Sequence, residues 1–177
     1  MEFDLDSAIR KVKDFPKKGI LFYDLSSILT NPQAFRYCSE KIAEKGKEAG
    51  IDMIAAIEAR GFLFAAPAAV RLGLPLLIIR KKGKLPGKTI TKSFQLEYGE
   101  DSIQLHVDDL PKGAKILLVD DLAATGGTLR AAAELIEEAG AEVKEIFSVV
   151  GLPFLPYKET LKGYKVSTLI NYDSEKA

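Results

Sequence analysis

The sequence of 177 residues lacks the features of a secreted or membrane protein. It contains a single cysteine, Cys38, so no disulfide can form within the chain. No apolar run approaches the roughly 20 residues that are needed to cross a bilayer. The N-terminus is acidic, whereas a signal peptide begins with basic residues and continues into an apolar run. We therefore expect a cytoplasmic protein that has no membrane association.

The chain also lacks an excess of charge of either sign. Its 25 Lys and Arg residues balance 25 Asp and Glu residues. A protein that binds duplex nucleic acid normally carries a basic excess, so we expect no nucleic-acid partner. The single histidine, His106, fits no catalytic pattern. One basic cluster stands out in this neutral background, at residues 80–84.

Helical and strand patterns alternate along the chain. Apolar strands are predicted at 53–57, 76–79, 115–119, 146–150 and 166–170, and helices at 5–12, 31–50, 62–72 and 128–139. Continuous apolar strands separated by helices favour an α/β fold, in which helices flank a central, mainly parallel sheet. Ligands of such sheets bind at the carboxyl ends of the strands. Alternating residues at 92–98 and 102–106 predict a hairpin, and we predict one domain over residues 1–177.

The strongest chemical signal is the segment Val-Asp-Asp-Leu-Ala-Ala-Thr-Gly-Gly-Thr at residues 119–128. A strand runs into two acids, then into a turn of small residues, then into a helix. Gly126 and Gly127 permit positive φ angles, and the helix start adds backbone N–H groups that attract an anion. Asp120 and Asp121 can then reach the hydroxyls of a sugar attached to a bound phosphate, or hold the water shell of Mg²⁺.

This segment resembles the diphosphate-sugar signature of the type I phosphoribosyltransferases. Four further stretches, at residues 15–24, 58–62, 80–86 and 96–99, resemble the adenine-specific members of that family. They occur in the family's order from about residue 5 to residue 150. The resemblance implies the type I phosphoribosyltransferase fold, with a flexible hairpin loop. It also implies a small N-terminal hood over the base, formed by about residues 1–30.

The reaction that the resemblance implies is transfer of the 5-phosphoribosyl group from phosphoribosyl diphosphate to adenine, giving AMP and pyrophosphate. It implies Mg²⁺ as cofactor and a homodimer. The expected ligands of the 5′-phosphate are Ala124, Thr125, Gly126, Gly127 and Thr128. The expected ligands of pyrophosphate are Arg60, Gly61, Arg80, Lys81 and Lys84. The base is expected to meet Leu21, Phe22 and Tyr23, with Phe22 stacking on its ring.

The catalytic residues that the resemblance implies are Glu97, Asp120, Asp121 and Arg60. Tyr98 would belong, with Glu97, to the loop that closes the site. The metal would have no direct protein ligand and would be held through substrate and water near the two aspartates. Lys84 would act either in its own site or in the site of a partner subunit.

Alternative interpretations remain at this stage. The base could be hypoxanthine or guanine, because only residues 15–24 indicate adenine. The chain could also be a regulatory protein that binds the sugar and has lost catalysis, although Arg60 and Glu97 favour a working enzyme. Taken alone, Arg60 fits a surface salt bridge and residues 80–84 fit a solvated basic loop.

Overall fold

The structure is a computed structural model, and it describes residues 3–96 and 99–174. Its strands are β1 (Arg10–Lys13), β2 (Leu21–Asp24), β3 (Met53–Ile57), β4 (Leu76–Lys81), β5 (Thr89–Leu96), β6 (Gly99–His106), β7 (Lys115–Ala123), β8 (Glu142–Gly151) and β9 (Val166–Asn171). Its α-helices are α1 (Ser26–Leu29), α2 (Pro32–Ala49), α3 (Arg60–Leu72), α4 (Gly127–Glu138) and α5 (Tyr157–Thr160). Short 3₁₀ turns lie at Asp6–Ala8 and Val107–Asp109.

A seven-stranded sheet in the order β5-β6-β4-β3-β7-β8-β9 forms the centre of the fold. The five neighbouring strands β4, β3, β7, β8 and β9 are parallel, while β6 pairs antiparallel with both β4 and β5. The prediction of a mainly parallel α/β sheet is confirmed, and so is the hairpin, in which Leu96 pairs with Gly99. The carboxyl ends of β3, β4 and β7 therefore meet at one edge of the sheet.

Apolar side chains fill both faces of this sheet. On one face Leu118 packs in a core with Leu129 and Leu135 of α4, and on the other Val119 packs in a core with Phe64 of α3 and Ile42 of α2. Burial on both faces explains why the central strands read as unbroken apolar runs. Within the described ranges, no helix is both long and apolar enough to span a membrane.

Helix α2 forms as its sequence predicts. The side chain of Asn31 accepts hydrogen bonds from the backbone N–H groups of Gln33 and Ala34, both at 3.1 Å, and so caps the first turn. Pro32 occupies the first helical position, where its missing N–H costs nothing. Gly50 ends the helix in the left-handed conformation. Cys38 lies buried in the middle, and this burial raises the pKa of its thiol to about 12.

The predicted helix at residues 5–12 is wrong. Only Asp6–Ala8 form a 3₁₀ turn, after which β1 pairs antiparallel with β2 in a separate two-stranded sheet. Leu5 and Ile9 are buried as a helical spacing would suggest, but Val12 lies opposite Phe22 in the hairpin. A 3₁₀ turn followed by a strand can space its apolar residues as a short helix does. Pairing of β1 with β2, which decides between the two structures, involves residues about ten positions away and is not visible in the local pattern.

Candidate active site

A cleft of about 500 Å³ opens at the carboxyl edge of the sheet. The ends of β3, β4 and β7 form its floor, and the β5–β6 hairpin forms one wall. Its lining residues are Ile57, Glu58, Ala59, Arg60, Ile79, Lys81, Phe94, Asp101, Ile103, Asp120, Asp121, Leu122 and Thr128. Five of the residues predicted for the site, Arg60, Lys81, Asp120, Asp121 and Thr128, are thus brought together here.

Two carboxylates near the end of β7 form the acidic centre of the cleft. Asp121 is 5% exposed, and its Oδ2 lies 2.6 Å from Nε of Arg60. Asp120 is half-buried, and its Oδ1 accepts a hydrogen bond of 2.9 Å from the backbone N–H of Asp121. Arg60 keeps about half of its side chain exposed, so its guanidinium contacts Asp121 while remaining open to the cleft.

The environment of this pair disfavours two negative charges. Burial raises the pKa of Asp120, and the adjacent charge of Asp121 raises it further. Burial also raises the pKa of Asp121, while the charge of Arg60 acts in the opposite direction. A cation bound beside the pair would favour its fully charged form. Without such a cation, the pair holds a proton more readily than two aspartates in water.

Helix α3 brings Arg60 to the cleft because it begins directly after Glu58 and Ala59 at the end of β3. Gly61 lets this helix start touch β7, since an added Cβ would lie 3.0 Å from Asp120 Oδ1 and 3.1 Å from Val119 O. Ala59, at the N-cap, has no side-chain oxygen that could cap the helix. The first N–H groups of α3 thus remain available to an anion, in contrast to those of α2.

The turn between β7 and α4 encloses a second, smaller cavity of about 90 Å³. Its lining residues are Asp120, Leu122, Ala124, Thr125, Gly126, Thr128 and Leu129. Gly126 is the N-cap of α4 with φ 84° and has no side chain to cap it, so the helix start again faces an open site. Gly126 adopts the positive φ that both glycines permit, whereas Gly127 does not, because it is already the first residue of α4.

The C-terminal segment supports this turn, although its sequence had indicated no function. A Cβ added to Gly126 would lie 3.1 Å from both Tyr157 Cα and Thr160 Cβ, so α5 packs directly on the turn. Arg130 of α4 donates a 3.0 Å hydrogen bond to the carbonyl oxygen of Thr160. The positive φ and the close backbone contact together require glycine at position 126.

The basic cluster divides into three environments. Arg80 donates from Nη2 to Glu58 Oε1 at 2.9 Å and from Nη1 to the carbonyl of Lys84 at 3.0 Å, so its guanidinium braces the cleft wall. The hydrogen bond from Arg80 to Glu58 is the main reason why the pKa of Glu58 is lowered. Lys81 lines the cleft and forms an ion pair of 3.1 Å with Asp101. Lys84 is exposed on the loop that follows β4.

The three residues predicted to meet the base lie on β2, in the N-terminal hairpin. The backbone there is extended, as expected. Phe22 packs edge-to-face on Phe15 with ring centroids 5.0 Å apart. Tyr23 instead stacks on Tyr172 at 3.7 Å. Leu21, Phe22 and Tyr23 are not among the residues that line the cleft.

Other cleft residues had no role assigned from the sequence. Glu58, Phe94 and Asp101 line the cleft, and Phe94 pairs with Asp101 across the hairpin. The alternating pattern of residues 92–98 and 102–106 predicted a hairpin but not its place beside the cleft, because the pairing of β6 with β4 is not visible locally. The predicted residues Glu97 and Tyr98 lie outside the described residues.

The donor set fits a magnesium ion held mainly by substrate. In residues 3–96 and 99–174 no group of three His, Cys, Asp or Glu side chains is placed to hold a metal. Asp120 and Asp121 provide carboxylate oxygens at the cleft, and Mg²⁺ commonly uses one or two carboxylates together with phosphate oxygens and water. A protein cage is therefore not needed for the metal to bind here.

Comparison with known proteins agrees with this geometry. A sequence profile of the phosphoribosyl transferase domain matches residues 24–170. With the mainly parallel central sheet, this match defines a type I phosphoribosyltransferase. An adenine phosphoribosyltransferase of Treponema denticola is 58% identical over 172 residues, which cover 97% of this chain and 90% of that protein.

Solved structures give the same result. The adenine phosphoribosyltransferase of Thermoanaerobacter pseudethanolicus superposes with a TM-score of 0.90 at 44% identity, covering 96% of this chain and 98% of the other. The enzyme of Saccharomyces cerevisiae, solved with an imino-altritol bisphosphate and adenine, gives 0.88 at 36% identity, covering 94% and 96%. The chain therefore belongs to the adenine phosphoribosyltransferases.

The two glycines of the turn should differ sharply on replacement by alanine. Gly126→Ala places a Cβ against the backbone of α5 at positive φ, and should lower the free energy of unfolding by about 1–3 kcal/mol. Gly127→Ala meets no atom closer than 3.9 Å and lies in a helix, so stability should change by less than about 1 kcal/mol. Urea unfolding of both variants measures the difference. Equal stabilities would contradict the packing of α5 on the turn.

The carboxylate pair should reduce the stability of the ligand-free protein at high pH. Because the folded pKa of Asp120 is raised, stability falls as pH rises from the ordinary aspartate range towards that raised value. Asp120→Asn should therefore unfold with a free energy higher by on the order of 1 kcal/mol at pH 8, and this gain should shrink towards pH 5. Denaturation without Mg²⁺ or phosphate compounds at several pH values tests this. A variant less stable than the parent at pH 8 would contradict the account.

Proposed function

We propose that this protein transfers the 5-phosphoribosyl group from phosphoribosyl diphosphate to adenine, releasing pyrophosphate and forming AMP in purine salvage. The observation that carries the proposal is that the two cavities share lining residues. Asp120 and Thr128 line both the small cavity at the turn and the larger cleft. A phosphate in the small cavity at the turn therefore places its sugar beside the two carboxylates. A diphosphate on that sugar then reaches Arg60.

The 5′-phosphate is assigned to the turn at residues 124–128. The hydroxyls of Thr125 and Thr128 and the open N–H groups of α4 supply the donors that a phosphate dianion needs. The cavity of about 90 Å³ suits one phosphate group. The turn that forms it packs on α5, which keeps the hydrogen-bond donors in place. This packing contributes preorganisation, which lowers the entropy cost of binding.

The pyrophosphate is assigned to the start of α3 and the floor of the cleft. Arg60 offers a guanidinium fork, Gly61 brings the helix N–H groups close, and Lys81 adds a positive charge. Arg80 and Lys84 remain proposed pyrophosphate ligands, and the Arg80 guanidinium is held at the cleft wall by its hydrogen bonds to Glu58 and the Lys84 carbonyl. These groups stabilise the charge that develops as pyrophosphate leaves.

Asp120 and Asp121 are assigned to the ribose. Departure of pyrophosphate leaves positive charge on the sugar ring, and carboxylates at its hydroxyls stabilise that charge. When bound, Mg²⁺ supplies neutralisation of the diphosphate oxygens and fits beside the same carboxylates. Glu97 remains the carboxyl group proposed to take up the proton that adenine loses as the new bond forms, and with Tyr98 it belongs to the loop proposed to close over the site and exclude water.

The base is assigned to β2, within a hood formed by about residues 1–30. An extended strand presents alternating N–H and C=O groups, and a C=O aimed at position 6 of a purine accepts from the amino group of adenine. Hypoxanthine and guanine present an oxygen there, so lone pairs would face each other. The face of β2 that carries Phe22 holds an aromatic pair with Phe15, which offers a stacking surface.

The quaternary structure proposed is a homodimer. Leu63 and Val70 lie seven residues apart on α3, with side chains 45% and 83% exposed. They are at equivalent positions two helical turns apart, and Pro67 between them lines an open groove with Val70. Exposed apolar residues grouped on one helix face are typical of a subunit contact, and α3 carries Arg60 at its start. A dimer would thus stabilise the helix that binds pyrophosphate.

Base choice is the direct test of the function. We expect pyrophosphate release from phosphoribosyl diphosphate with adenine, and a kcat/KM for hypoxanthine and guanine lower by about 10⁴, because buried polar groups would be left unpaired. Phe22→Ala should weaken adenine binding by roughly 1–3 kcal/mol without changing base preference. The measurement is kcat/KM for each purine in parent and variant. Comparable values for the three purines in the parent would remove the adenine assignment.

The dimer has its own test. Val70→Glu places a charge on the proposed contact and should convert the dimer to monomer in sedimentation velocity at micromolar concentration. Lys47→Glu, which also introduces a glutamate on a helix surface but lies on α2, is the matched control and should leave the mass unchanged. A Val70→Glu protein with the mass of the parent would place the contact elsewhere.

A further inference from the structure

The N-terminal hairpin is joined to the central sheet through a pair of stacked tyrosines. Tyr23 of β2 lies parallel to Tyr172, with ring centroids 3.7 Å apart and ring planes 12° apart. The hydroxyl of Tyr23 donates to the carbonyl oxygen of Ser174 at 2.9 Å. The backbone N–H of Tyr172 donates to the carbonyl of Gly151 at 3.0 Å, at the end of β8. The stack therefore connects β2 to a strand of the rigid sheet.

A charged cluster holds Tyr172 from the other side. Its hydroxyl donates to Asp6 Oδ1 at 2.6 Å, and Lys11 Nζ donates to Asp6 Oδ2 at 2.6 Å. Lys11 Nζ also lies 5.6 Å from the centre of the Tyr172 ring. The bonds from Lys11 and Tyr172 lower the pKa of Asp6, which keeps it charged. Tyr172 is thereby held by Asp6, which precedes the hairpin, and by Lys11 in the hairpin's first strand.

The register of the hairpin separates the face anchored by Tyr172 from the face that carries Phe22. Lys11 pairs with Tyr23, and both contact Tyr172, whereas Val12 pairs with Phe22 on the opposite face. A two-stranded sheet is only marginally stable by itself, so it needs such an anchor to hold a defined position. Tyr23 is thus held on the face that contacts Tyr172, while Phe22 on the opposite face packs edge-to-face on Phe15.

We propose that Tyr172, acting through Tyr23, is a positioning residue for the base: it sets the height and tilt of β2 over the cleft. This inference rests on the proposed assignment of adenine to β2. It gives the end of β9 a role in binding the base, although Tyr172 itself is not among the residues that line the cleft. Tyr172 and Asp6 would thus control affinity for the base and leave the sugar diphosphate site unaffected.

The experiment compares the KM for adenine with the KM for phosphoribosyl diphosphate. Tyr172→Leu should raise the adenine KM roughly tenfold, the scale of losing an aromatic stack and its hydrogen bond, and leave the other KM within about twofold. Tyr172→Phe keeps the stack and should recover most of the loss. Asp6→Asn, at a partly exposed position, should raise the adenine KM by about threefold. This variant provides the test if the Tyr172→Leu protein does not fold.

A matched control and a second readout distinguish positioning from general loss of stability. Tyr164→Leu removes another tyrosine bonded to a carboxylate, Glu137 at 2.9 Å, away from the hairpin, and should leave the adenine KM within about twofold. Hydrogen exchange of peptides over residues 10–24 should accelerate in Tyr172→Leu but not in Tyr164→Leu.

The outcomes separate this inference from the proposed function. A parent protein that releases no pyrophosphate with adenine would overturn the proposed function. An active parent whose Tyr172→Leu and Asp6→Asn variants keep the parent KM for adenine would overturn the role of Tyr172 alone. Equal rises in both KM values, or faster exchange throughout the chain, would make Tyr172 a general structural residue and would also overturn it.

Discussion

The site depends on the placement of two carboxylates at the carboxyl end of β7. A buried strand delivers Asp120 and Asp121 to the edge of the sheet, where Arg60 lies 2.6 Å from one of them. Their burial raises both pKa values, so two negative charges are unfavourable in the pair alone and favourable when a cation or a developing positive charge is near. The turn between β7 and α4 and the start of α3 both lie beside this pair. The negative charge of the two carboxylates, unfavourable in the free protein, thus becomes stabilising when it faces positive charge.

Segments distant in sequence hold this arrangement in place. The turn after β7 requires glycine at 126 because α5, thirty residues later, packs on it. Gly61 lets α3 approach β7, and Arg80 braces Glu58 from the neighbouring strand. Near the C-terminal end of the chain, Tyr172 packs on Tyr23 of the N-terminal hairpin. The C-terminal part of the chain therefore contacts both the proposed phosphate site and the proposed base site.

Much of the fold and the centre of the site could be predicted from sequence because their causes are local. The helix from Pro32 to Ala49 is fixed by a cap, a proline and a glycine, and the strand from Met53 to Ile57 by its apolar run. The two aspartates and the glycine turn form one contiguous segment. The failures have non-local causes. Pairing of β1 with β2 replaced a predicted helix, and the Arg80 brace and the Tyr23 stack depend on partners 22 and 149 residues away.

The central claim is that Asp120 and Asp121, together with the turn that follows, hold the sugar diphosphate. Calorimetric titration of phosphoribosyl diphosphate with Mg²⁺, in the absence of adenine, measures this binding directly. The account predicts that replacing both aspartates by asparagine weakens the binding by at least about a hundredfold, since two charge-assisted contacts are lost. The same variant should bind adenine as the parent does, because β2 is untouched. Unchanged affinity for the sugar diphosphate in the double variant would contradict the account.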